Sequence, residues 1–187
     1  MSCCKYRTSV PCAITVTEHE HNRFKEGLIG PLMAQETSQI RSQIEQYFKI
    51  MRLKYTWKPD AQCYELAFTE RKDGLPVSQT TTSDPQQFNY MVRVKIGDAW
   101  IQIFADLCPI DRVPRDRLQE LLIDLMRCNR EIPEVCFDYN VATSNIGTSQ
   151  ETMVQGLNFD VFRAEFYAVP WAVRYFWSHI AGKYGLS

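Results

Sequence analysis

Histidine is scarce in this chain, with three in 187 residues, and neither sign of charge dominates, since 21 Lys and Arg face 22 Asp and Glu. A net charge of −1 without any run of basic residues gives no general pull toward nucleic acid or an anionic membrane surface. No window approaches the roughly 18 apolar residues needed to cross a bilayer, and the opening Met1-Ser2-Cys3-Cys4-Lys5-Tyr6-Arg7 lacks the apolar stretch of a secretion signal. A cytoplasmic chain with no nucleic-acid and no membrane partner is expected. Glycine-rich phosphate loops and the Gly-x-Ser-x-Gly turn are also missing, so no cofactor is expected from motif. The seven cysteines are odd in number and irregularly spaced, unlike a disulfide scaffold, and are read as reduced thiols.

What the chain does have is material for a core: 45% hydrophobic and 12% aromatic residues. Residues 1–34 read as an N-terminal extension, in which 10–17 offer a short strand ahead of a Gly30-Pro31 break. Residues 35–187 read as a single domain. Ile40, Ile44, Tyr47, Phe48 and Met51 recur at intervals of three and four, with Thr37 or Ser38 as cap, and mark a helix over 36–53. Tyr55 to Trp57, a Pro59-Asp60 turn and the alternating 63–68 segment make a first strand or short bent ribbon. A polar stretch over 71–87 reads as a mobile loop. Strict alternation over 88–96, a turn centred on Gly97-Asp98 and a returning run over 99–106 make a hairpin.

Pro114 suits the first position of a second helix, whose stripe is Leu118, Leu121, Leu122, Leu125 and Met126 and which stops at Cys128-Asn129. Strands follow over 135–141 and 145–154. Asn158 then caps a long helix whose stripe of Phe159, Phe162, Phe166, Val169, Val173, Phe176, Ile180 and Tyr184 runs straight through Pro170, where a kink is expected. The order helix, three antiparallel strands, helix, two strands, helix implies an α+β fold, one sheet with its helices packed mainly on one face.

That order resembles the type III secretion chaperone-like fold and its YbjN-type relatives, the sensory transduction regulators. Local features agree over about residues 36–184: the aromatic hairpin running into Asp106-Leu107, Val113-Pro114 before the second helix, Leu121-Leu122 through Asn129-Arg130 at its end, and Leu157-Asn158-Phe159 opening the last helix. The resemblance implies a noncatalytic homodimer or a platform for a protein partner, held through exposed apolar surface.

Chemistry-bearing residues are few. Cys3, Cys4, Cys12, His19 and His21 are ligand types that zinc accepts, though vicinal cysteines and a His-x-His pair are not finger spacing; they support an alternative reading as a metal or redox sensor. The Cys3-Cys4 pair beside Lys5 and Arg7 is also a candidate for acylation. Cys63, Cys108, Cys128 and Cys136 are possible nucleophiles with only His19, His21 and His179 as bases, and fit better as packing residues. Asp138-Tyr139-Asn140 begins like a calcium loop but has Thr143 and Ser149 where that loop needs Gly and Glu. The carboxylates Asp111, Asp116, Glu120 and Asp124 fall on a solvent face. Tyr167, Trp171, Tyr175 and Trp177 are left over from the last helix's core stripe, more aromatic surface than one helix buries against one sheet. These four are the partner-binding candidates, with Trp and Tyr favoured because they join apolar area to a polar tip.

Overall fold

A computed structural model describes residues 30–71, 87–133 and 135–186. The chain divides into two units, Met1–Glu36 and Thr37–Ser187; the packing described below is that of the second. The strand expected over 10–17, the five metal-ligand candidates and the body of the 71–87 loop lie outside the described residues.

The elements run α1 (Gly30–Ile50), β1 (Thr56–Lys58), β2 (Cys63–Arg71), β3 (Gln87–Ile96), β4 (Trp100–Pro109), α2 (Leu118–Glu131), β5 (Phe137–Asn140), β6 (Asn145–Met153) and α3 (Phe159–Tyr175). The six strands form one antiparallel sheet in the order β1-β2-β3-β4-β6-β5. The α+β reading stands, with one strand more than expected. A 3-10 turn at Pro59–Ala61 folds Thr56–Lys58 back onto Cys63–Glu65, so the expected bent ribbon is two paired strands.

Strand alternation sends Tyr64, Leu66, Val92, Val94, Ile96, Ile101, Ile103 and Ala105 to one face, where all are buried under the helices. Phe48 of α1 is the hub of this core, with ring centroids 5.1 to 6.0 Å from Tyr55, Tyr64, Phe162 and Phe166. A bulge between Asp106 and Cys108 adds one residue to β4, which lets Leu107 and Cys108 both turn inward. The opposite face carries an ion-pair ladder from Lys58 to Glu65 (3.6 Å), Arg93 (3.3 Å) and Asp106 (3.0 Å). On that face Gly147 is fixed by space, because a Cβ there would stand 2.8 Å from Asp138 Oδ1 and 3.1 Å from the Ala105 carbonyl oxygen.

Several boundaries differ from expectation for identifiable reasons. The hairpin turn is centred on Asp98-Ala99, with Gly97 N–H donating to the Trp100 carbonyl at 2.8 Å; glycine serves here because a Cβ would sit 3.1 Å from that oxygen. Pro114 opens a turn closed by Arg117 N–H on its carbonyl, and α2 starts only at Leu118. Asn158 caps α3 as expected, its Oδ1 accepting from Val161 N–H at 3.0 Å. Helical geometry persists through Pro170, and the departure comes later: Phe176–Ile180 form a π-turn and Ala181–Tyr184 a 3-10 turn. The stripe from Phe162 to Tyr184 is buried throughout, with Phe159 half-buried against it.

Candidate functional site

Two of the helices that close the core, α2 and α3, differ on their outer sides. Residues Asp160, Arg163, Ala164, Tyr167, Ala168 and Trp171 recur at helical spacing along the outward face of α3. Together with Ile132 and Pro133, which follow α2, they line an open groove of about 490 Å³. Tyr167 and Trp171 are exposed along it. Trp171 stacks on Tyr175 at 5.2 Å and Tyr175 on His179 at 4.7 Å, both nearly parallel, so the aromatic row extends past the end of α3 into the π-turn. Trp177 lies off this row: it packs on Phe88 of β3 at 5.9 Å and is half-buried. Of the four aromatic candidates, three therefore share one line and the fourth supports the sheet. Arg163 pairs with Asp160 at 3.1 Å at the head of the groove, which leaves that end polar but locally neutral.

On α2 the expected stripe splits. Leu121 and Leu125 are fully or nearly fully buried, whereas Leu122, Ile123 and Met126 are 38%, 49% and 64% exposed. Leu122 and Met126 are thus corrected from core to surface. The helix is turned by its polar anchors: Asp124 accepts from the Tyr184 hydroxyl at 2.7 Å and pairs with Arg127, while the Asn129 carboxamide donates to the Phe137 carbonyl at 2.9 Å and accepts from the Phe137 N–H at 2.7 Å. These bonds aim Leu121 and Leu125 at the sheet and leave the next positions outward. Sequence reasoning missed this face, because Leu122 and Met126 are periodic with the residues that are buried.

The four cysteines among the described residues offer no ready nucleophile. Burial pushes the Cys108 thiol up to about 11, and burial also raises Cys63, Cys128 and Cys136, so thiolate is disfavoured at neutral pH. Cys128 shares a hydrogen bond with Tyr175. Cys136 is surface-exposed, against its expected role as core filler. Among the described residues no group of three or more His, Cys, Asp and Glu is placed to hold a metal ion. No helix among them is long and apolar enough to cross a membrane.

No protein-family profile and no curated protein sequence matches this chain. Among solved structures, the HopA1–SchA chaperone–effector complex contains a chain that superposes with a TM-score of 0.50 at 9% identity, over 77% of this chain and 96% of the other. The fold is type III secretion chaperone-like. The ExsC–ExsE complex (TM-score 0.48, 12% identity, 77% of this chain and 94% of the other) and YbjN from E. coli (0.47, 13%, 73% and 89%) are further similar structures. At these identities the likeness is one of fold; the groove on α3 and the outer face of α2 both present apolar side chains to solvent, as do Trp100 and Met153 on paired strands of the sheet.

Proposed function

We propose that this chain is a noncatalytic, chaperone-like protein-binding module that works in the cytoplasm as a homodimer or with a protein partner. Residues 35–187 form the binding domain and 1–34 an extension to it. The observation that carries this reading is apolar surface on two of the covering helices: Tyr167 and Trp171 on α3, and Leu122, Ile123 and Met126 on α2. Side chains of this size left in water at helical spacing are the residues that interfaces bury, and Trp and Tyr are enriched at interface centres. SchA, which shares the fold, is a chaperone seen in complex with its effector. Tyr175 continues the Trp171 stack, and Trp177 packs on Phe88 of β3.

Light scattering on the purified chain over a wide concentration range tests self-association, and co-purification tests a hetero-partner. A dimer or stable complex that is lost in Leu122→Glu/Met126→Glu or in Tyr167→Ala/Trp171→Ala is expected. A strict monomer at every concentration that recovers no partner sinks the reading.

A further inference from the structure

A second kind of site lies on the other half of the sheet, at the junction of α1 with β1. The Arg41 guanidinium carbon stands 4.0 Å over the Trp57 ring, and Trp57 in turn packs at 4.6 Å on Tyr64, a fully buried residue. The Tyr64 hydroxyl donates to Glu45 Oε1 at 2.9 Å and lies 3.4 Å from the Arg41 main-chain carbonyl oxygen, while the guanidinium itself rests on the Trp57 ring. Arg41 Nε is shut off from water and makes no hydrogen bond among the described residues. A buried donor left unpaired is costly, and its presence calls for an account.

Arg41 and Trp57, with Pro59, Gln62 and Ile96, line a cavity of about 210 Å³. Its walls are set before any ligand arrives. Pro59 belongs to the 3-10 turn, and the Gln62 N–H donates to its carbonyl at 3.1 Å. The Gln62 carbonyl accepts from Ile96 N–H at 3.3 Å, which ties the turn to β3. Gln62 itself sits in the left-handed region at φ 48, a conformation a non-glycine residue seldom adopts and one often found at ligand clamps.

The chemistry of the lining selects a ligand. With its central carbon over the indole and Nε enclosed, the guanidinium has its terminal nitrogens left to meet a planar carboxylate. One cation suits a single negative charge; a phosphate ester would want more donors than these residues supply. Pro59 and Ile96 add apolar wall, Gln62 adds one amide, and among the described residues no acidic side chain lines the space. The volume takes a group about the size of one amino-acid residue. We infer that this cavity binds a monocarboxylate carried on a compact apolar body, supplied either by the C-terminal residue of a polypeptide or by a free organic acid.

NMR of the full chain, following the Trp57 indole N–H identified with a Trp57→Phe variant, tests this with four probes: N-acetyl-leucine, its uncharged amide, and a hexapeptide ending in leucine as free acid or as amide. Saturable shifts with the acids, at least about tenfold weaker with the amides, are expected. Equal binding of the acid peptide and N-acetyl-leucine assigns the site to polypeptide C-termini. Binding of N-acetyl-leucine alone assigns it to free acids. Arg41→Lys keeps the charge but loses the planar fork, and should weaken the acids about tenfold while leaving the thermal midpoint near that of the parent chain. Acid and amide binding alike, no shift with any probe up to its solubility limit, or an Arg41→Lys chain that binds as the parent does, each overturns the inference.

Discussion

Helices α2 and α3 carry equally clear apolar periodicity, yet one spends it on the core and the other only in part. Along α3 and into the turn after it, Phe162, Phe166, Val169, Val173 and Phe176 are all inaccessible to solvent. On α2 only Leu121 and Leu125 reach that state, and Leu122, Ile123 and Met126 face outward. The difference lies in how each helix is held. A ladder of inward rings fixes α3, whereas polar anchors at Asp124 and Asn129 set the rotation of α2. Periodicity reports which residues can share a face; the anchors decide where that face points.

The contrast breaks most visibly at Phe166, which touches Phe48, Phe68 and Phe162. Phe166→Ala should cost about 3–5 kcal/mol, read as a large fall in denaturant midpoint. Asn129→Ala comes next. It strands the N–H and carbonyl of Phe137 and frees the rotation of α2, for a loss of about 1–3 kcal/mol, with faster hydrogen exchange in β5 as the local signature. Thr148 tests the ground beneath α3 in the other direction: its hydroxyl is buried with no hydrogen-bond partner among the described residues, so Thr148→Val should gain about 1 kcal/mol by chemical denaturation. Smallest is the outer face of α2, where Leu122→Gln/Met126→Gln should move monomer stability by no more than about 0.5 kcal/mol. A loss as large as that of Phe166→Ala would mean the two helices are equivalent after all.

These same residues show what the sequence could and could not disclose. The α3 stripe and the β3–β4 alternation were legible because each is long, and long patterns average over local exceptions. Strand β1 was not legible as an element of its own, since three residues gain strand identity only from pairing with Cys63, Tyr64 and Glu65. The turn at Asp98-Ala99 was misplaced by one residue because glycine signals both a left-handed backbone and a close approach, and Gly97 is the second kind. The aromatic excess on α3 was visible in sequence, but its division into a stacked row and an inward Trp177 depends on the π-turn, which has no sequence signature. The exposed face of α2 needed the bonds of Asn129 to a residue eight positions away. The Arg41 cavity needed three separate segments brought together: α1, the stretch from Trp57 to Gln62, and the end of β3.

The sheet's two edges bear on how any further chain could join it. Strand β1 offers three residues and β5 four, and on β5 the Asn129 carboxamide already occupies the hydrogen-bonding groups of Phe137. At β5 an incoming strand would find a short rail with a stop at one end. Such an edge resists runaway sheet stacking. It also means that backbone pairing alone holds a visitor only briefly, so residence time rests on side chains at the flanking helix, where evolution can adjust it one residue at a time without disturbing the sheet.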